Sequence, residues 1–217
     1  MIVQQDKELI ALIKRKKELS DLPDSIVKDA LEAYIKKYNI SLENLNKSKI
    51  KVILKAVRSQ LRLYTGRFQK SAKKRKALLS ENKITDLLKT HTSTAERLSF
   101  YPELTSIINK LKVHSILDLG CGLNPLALAR KGLKYYAVDI KEEELKIISG
   151  FFKKNKISGD IIICDIRNLP EDLPQADLTL LFKVIDIIEK TNKRFTENLL
   201  KKIKSKYIIA SFAAITL

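Results

Sequence analysis

From His114 to the end, the sequence repeats one pattern that leaves few folds open to it. Short apolar runs that end in an acid, a glycine or a basic residue (SILDLG, YYAVDI, DIIICDI, DLTLLFK and KYIIASF) alternate with stretches of helical periodicity (PLALARKG, EEELKIISGFFKKN and TENLLKKIKS). A run of four to six apolar residues without alternation reads as a strand buried on both faces, and strands separated by helices imply parallel pairing through crossover helices. The expected architecture is therefore a doubly wound α/β sheet, whose ligands bind at the carboxyl ends of the strands.

The first hundred residues have a different period. Leu9, Leu12, Ile13 and Leu19, then Ile26, Val27, Ala30, Leu31, Tyr34 and Ile35, recur at helical spacing, with Pro23 and Asp24 punctuating the first two helices. Ser48 is expected to precede a third helix through Ile50, Ile53, Leu54, Val57 and Leu61, which ends at Gly66. Two more helical stretches are expected, one after Ser80 and one from Pro102 to Lys112, with HTSTAERLSFY between them as the least bundle-like segment.

Charge separates the two halves further. The chain carries a formal +17, and residues 1–112 hold 25 basic against 12 acidic side chains, so the excess lies in front. Between Asn44 and Ser80 no acid occurs, while Lys47, Lys49, Lys51, Lys55, Arg58, Arg62, Arg67, Lys70, Lys73, Lys74, Arg75 and Lys76 do. A solvated helix normally mixes signs, so such a run implies a polyanion, with nucleic acid the first choice and a membrane surface the competitor. The stretch lacks the large apolar face that membrane insertion requires. Two cysteines, Cys121 and Cys164, make no disulfide framework and suit a reducing compartment, and the charged N-terminus offers no signal peptide or membrane span. The expectation is a cytoplasmic protein without a metal site, monomeric by default.

The most informative motif is Asp118-Leu119-Gly120-Cys121-Gly122-Leu123-Asn124-Pro125, between an expected strand and an expected helix. Glycines admit close backbone approach, and proline suits a first helical turn. A nicotinamide dinucleotide would want a third glycine near Pro125, and a P-loop its Gly-Lys-Ser/Thr, and neither is present. S-adenosylmethionine has no phosphates but carries a sulfonium, an adenosine and an amino-acid tail, which an acid before a glycine turn suits. An ordinary strand-to-helix turn is the alternative.

Further acids stand where such a ligand needs them. Asp139, followed by Ile140, closes the second strand at the usual distance for an acid that takes ribose hydroxyls, and Asp165 with Ile166 follows the third, where they would frame the adenine edge. Taken singly, Asp165 fits a helix cap as well as a ligand contact. The fourth strand ends in Leu181-Phe182-Lys183, where a methyl acceptor would lie. It has no Asn-Pro-Pro-aromatic run for amino-nitrogen methylation and no cysteine for covalent cytosine chemistry. Guanine N7 has a free lone pair and needs positioning rather than a base. Lys183 either contacts a phosphate or base edge there or is a solvated lysine.

Together, His91-Thr92-Ser93-Thr94-Ala95-Glu96-Arg97, Leu117 to Pro125, and Leu181-Phe182-Lys183 resemble the aminoglycoside-resistance family (the Arm/Rmt, FmrO-like enzymes) of small-subunit ribosomal RNA guanine-N7 methyltransferases. The resemblance runs from about Lys47 to the end of the chain and is most specific in His-Thr-Ser-Thr-x-Glu-Arg and Cys-Gly-Leu-Asn-Pro. It implies a Rossmann-like class I S-adenosylmethionine-dependent methyltransferase domain, residues 106–217, behind an N-terminal helical domain, residues 1–105, that docks on the small ribosomal subunit. It further implies that Arg97 holds the methionine carboxylate, that Asp118, Gly120 and Gly122 line the cofactor, that Asp139 and Ile140 take the ribose, that Asp165 and Ile166 frame adenine, and that Lys183 faces the acceptor. By chemistry alone His91 reads as a structural histidine and Ser93 or Thr94 as a helix cap.

Members of that family continue past Ser211-Phe212 with a glycine-rich loop and two further strands, whereas this sequence stops at Leu217. The expectation is a sheet without its antiparallel edge hairpin: either the sequence is a fragment of a longer protein, or a partner covers the exposed edge. The alternatives to a guanine-N7 enzyme are a catalytically silent RNA-binding or ribosome-assembly factor, and a methyltransferase for another RNA or a protein.

Overall fold

The computed structural model describes residues 2–43, 45–65, 74–189 and 194–212. The chain forms two compact units, Met1–Arg67 and Phe68–Leu217. The expected boundary near residue 105 falls inside the second unit. The helices on either side of it bury Leu87, Leu104 and Ile108 in the same core as the strands, so they belong with the sheet.

Among its described residues the first unit holds α1 (Ile2–Lys14), α2 (Asp24–Tyr38) and α3 (Lys47–Thr65), with a 3-10 turn at Lys17–Leu19. Its core is built from the residues whose spacing marked the apolar faces: Leu9, Ile13, Leu19, Ile26, Val27, Leu31, Ile53, Val57 and Leu61 are all buried. α2 starts with Asp24 and ends with Lys36 and Lys37, each matched to the helix dipole, and Asn39 closes it in the left-handed conformation at φ 47°. α3 starts one residue before Ser48, and the cap is Asn46, whose Oδ1 accepts the Lys49 N–H at 2.8 Å.

The described residues of the second unit begin with four helices, α4 (Arg75–Ser80), α5 (Ile84–Lys89), α6 (Thr92–Glu96) and α7 (Tyr101–Lys110). Five strands follow: β1 (Ser115–Leu119), β2 (Lys134–Asp139), β3 (Gly159–Ile163), β4 (Leu178–Phe182) and β5 (Tyr207–Ser211). Between them lie α8 (Pro125–Leu128), α9 (Glu142–Asn155), α10 (Ile185–Glu189) and α11 (Phe195–Lys202). The strand order is β3-β2-β1-β4-β5 and all pairs are parallel. The direction of the sheet reverses at β1, so β1 and β4 part at their carboxyl ends, where such sheets bind ligands.

β4 is buried throughout and β1 from Ile116 onward, as their continuous apolar runs require, but β3 and β5 are only half covered. The expectation that every run is a fully buried strand holds for the centre and fails at β3 and β5. Each of these pairs on one side only among the described residues, and β5 turns Tyr207 and Ile209 to the core while Ile208, Ala210 and Phe212 remain exposed. α8 is a single turn that Pro125 opens, much shorter than PLALARKG suggests. Asp177 secures the far end of the sheet by accepting the His114 and Ser115 amides at 2.7 and 3.1 Å.

Candidate cofactor site

The glycine turn after β1 folds back over the end of β2, with the Gly120 and Cys121 amides both donating to the Val138 carbonyl at 2.9 and 3.0 Å. Gly120 and Gly122 are left-handed, at φ 69° and 49°. A Cβ at Gly120 would stand 2.7 Å from Val184 Cγ2, and one at Gly122 would stand 3.0 Å from His91 Cε1. Glycine is required here by conformation and by space together. The two most specific motifs of the sequence therefore meet: His91 lies against Gly122, and Val184, next to Lys183, lies against Gly120.

Asp118 is wholly buried on β1. Its Oδ2 accepts the Tyr135 hydroxyl at 2.7 Å, and its Oδ1 has no hydrogen-bond partner. Burial pushes its carboxyl up to about 7 against the pull of Tyr135 and of the Arg97 charge. Arg97 is buried too. One Nη donates to Asn124 Oδ1 at 3.0 Å, the other to Ser93 Oγ at 2.6 Å, and the guanidinium lies 4.8 Å from the Phe182 ring centre. Tyr101 also donates to Asn124 Oδ1, at 2.8 Å, so the asparagine of the glycine turn ties α7 and the Arg97 segment to the sheet.

Ser93 and Thr94 do not cap α6, contrary to expectation. The residue before the helix is His91, without a side-chain cap; Ser93 serves Arg97, and Thr94 donates to the Leu88 carbonyl at 2.6 Å. His91 is buried and held near neutral form, its pKa lowered to about 4 chiefly by that burial.

Asp139 at the end of β2 accepts the Gly122 amide at 2.8 Å and the Lys141 amide at 3.1 Å, one on each carboxylate oxygen. Its pKa is raised, first by burial and then by the charge of Glu144. Ile140 follows it in the half-buried turn. Asp165 caps the 3-10 turn Ile166–Asn168 through the Arg167 amide at 2.9 Å, and both its oxygens are also held by the Arg167 guanidinium. The helix-cap use is thus present in the ligand-free fold, with Ile166 as the first residue of the turn. Lys183 stands at the end of β4 in a left-handed conformation, φ 58°; its amide donates to the Ser211 carbonyl at 2.9 Å and its ammonium pairs with Glu96.

Of the basic run, Lys47, Lys51, Lys55 and Arg62 are exposed along α3, and Lys74 and Lys76 are exposed further on. Arg58 turns inward to the Ile13 carbonyl, and Arg62 pairs with Glu18 at 2.6 Å. Arg67, Lys70 and Lys73 lie outside the described residues. Arg75 is a correction: it is buried and bound to Thr90 and Glu144, so it cannot present its charge to RNA. Sequence reasoning gave no site role to Glu144, Thr90 or Tyr101, and held Asn124 within the glycine motif without a role of its own; their sequence surroundings do not say which partners they meet.

A family model described as ribosomal RNA methyltransferase (FmrO) matches residues 75–217. Among curated proteins, the 16S rRNA (guanine(1405)-N(7))-methyltransferase of Serratia marcescens is 28% identical over 166 residues, which cover 75% of this chain and 66% of that protein. The enzyme of the same name from Frankia casuarinae is 24% identical over 59% of this chain and 48% of its own length. The chain thus spans about half to two thirds of the length of these relatives. Among solved structures, 16S rRNA methyltransferase RmtF in complex with S-adenosyl-L-homocysteine superposes with a TM-score of 0.83 at 23% identity, covering 98% of this chain and 82% of that one, and it shows the same Rossmann-like fold behind N-terminal helices.

Proposed function

The chain belongs to the ribosomal RNA methyltransferase (FmrO) family, and on that premise we propose that it methylates guanine N7 in small-subunit ribosomal RNA with S-adenosylmethionine as donor. The observation that carries the reading is the pairing of two unlike charges in one buried place: the Arg97 guanidinium on Phe182 and the Asp118 carboxyl with Oδ1 unpartnered. A zwitterionic amino-acid tail fits that pair, its carboxylate toward Arg97 and its ammonium toward Asp118. Asp139 retains lone pairs on both oxygens for ribose hydroxyls beyond the two amides it accepts. The donor, when bound, supplies an electrophilic methyl group on a sulfonium.

The protein's own part is positioning and exclusion of water. Asn124 and Ser93 fix the Arg97 guanidinium, and Tyr135 fixes Asp118. Lys183 and Glu96 sit at the acceptor end, with the Lys183 backbone held by Ser211. Asp165 reaches an adenine edge only by sharing or releasing Arg167. Guanine N7 carries its own lone pair, so on this reading Lys183 and Glu96 position the acceptor and no base is required. The exposed lysines of α3 would contact phosphates, and the work would take place where ribosomes are, in the cytoplasm.

The test is the product. N7 methylation gives guanine a fixed positive charge and a labile glycosidic bond, so borohydride and aniline should cleave treated 16S rRNA at one guanine. Intact small subunits should be modified far better than naked RNA, because structured RNA is read by shape and phosphates. Label transferred to adenine or to protein would refute the guanine assignment. Binding of subunit and cofactor without transfer would establish the silent factor instead.

A further inference from the structure

Arg75 stands in the basic run yet is 2% exposed, and its guanidinium uses three nitrogens inward. Nε donates to Thr90 Oγ1 at 2.7 Å, Nη2 to the Thr90 carbonyl at 3.1 Å, and Nη1 to Glu144 Oε1 at 3.0 Å. Glu144, 1% exposed in the first turn of α9, directs its other oxygen toward His91 Nε2 at 3.8 Å. His91 lies against Gly122, whose amide donates to Asp139. One continuous set of contacts therefore runs from the end of the basic segment, through a buried ion pair, to the acid expected to hold the ribose.

We propose that Arg75 and Glu144 are positioning residues of the cofactor site, whose ion pair seats His91 against the glycine turn and cancels the negative charge beside Asp139. The proposal rests on the S-adenosylmethionine reading. Glu144 is the first charged group that works against ionisation of Asp139, and its neighbours decide how strongly it is felt. His91 is kept neutral by burial and supplies no counter-charge at neutral pH. The buried Lys141 and Arg97 also face this cluster, and the Arg75 guanidinium is in direct contact with the Glu144 carboxylate. Lysine cannot replace it, because one ammonium does not span Thr90 Oγ1, the Thr90 carbonyl and a carboxylate in a fixed plane.

S-adenosyl-L-homocysteine binding to the full chain, measured by calorimetry with a thermal melt on every variant, decides the matter. Arg75→Met leaves the Glu144 carboxylate buried without its guanidinium, and affinity should fall by about tenfold or more. Arg75→Met with Glu144→Gln removes both charges and should recover affinity to within about threefold of the starting protein. A purely architectural Arg75 would lower the melting temperature of the single variant and leave the ligand affinity of its folded protein unchanged. An Arg75→Met protein that folds and binds at full strength overturns the inference, as does a folded double variant as weak as the single one. Should Arg75→Met fail to fold, the double variant alone decides, by its affinity relative to the starting protein. If the unaltered chain gives no heat with the ligand, the cofactor reading itself falls; full binding with unaltered Arg75→Met affinity sinks only the role of the pair.

Discussion

A carboxyl group buried as Asp118 is, with one oxygen unpartnered, works against the fold until something cationic reaches it. Its folded pKa of about 7 lies above the ordinary 3.8, so between those values the native state keeps a proton that the unfolded chain has released. Stability is therefore fully present below about pH 4 and falls as pH rises toward about 7, by a few kcal/mol in the ligand-free protein. Asp118→Asn should flatten that part of the stability profile in urea titrations and weaken S-adenosyl-L-homocysteine binding. Asp139→Ala should weaken the same ligand by ~1–3 kcal/mol through lost ribose contacts, read by calorimetry. Gly120→Ala meets Val184 at 2.7 Å from a left-handed backbone and should cost about 2–3 kcal/mol in a melt; adding Val184→Ala should relieve the clash and leave the conformational part. These glycines and acids could be singled out because they stand at the carboxyl ends of apolar runs in the sequence. Arg75 was not, since a row of basic residues does not reveal which one turns inward, and its partner lies 69 residues away.

At the level of elements, α3 shows how far periodicity reaches. The apolar spacing located Ile53, Val57 and Leu61 on the buried face, which leaves Lys47, Lys51 and Lys55 in an exposed row at intervals of one helical turn. Reversing these three to Glu should lower the slope of log affinity for RNA against log salt by about 2–3, at roughly 0.7–0.9 per phosphate contact, with cofactor affinity unchanged. Filter binding over a salt series reads it, and a slope that stays put makes the row a solvated face. Arg62 is left out of the reversal because a glutamate there would oppose Glu18. The strand runs were equally legible as strands, but whether a run lies at the centre or edge depends on pairing order. β3 and β5 therefore looked as buried as β1 until the order β3-β2-β1-β4-β5 was known.

For the molecule as a whole, the family match begins at residue 75, within the second unit, and the first unit's role rests on its charge. The front helices could be recognised from spacing, but the division after Arg67 could not. The helices from Arg75 to Lys110 carry an amphipathic pattern like those before them, and only tertiary packing decides which core receives it. The strand order also dictates a sequence of events in time. β1, β2 and β3 pair with near neighbours in the chain, whereas β1 must wait for β4, which joins it at Ile116 against Leu178. On a nascent chain, the open side of β1 stays bare while those intervening residues emerge, a long-range closure of the kind that slows folding and invites pairing with other chains. Refolding from denaturant should accordingly lose yield as protein concentration rises, and the aggregates formed early should be those in which β4 has not yet inserted.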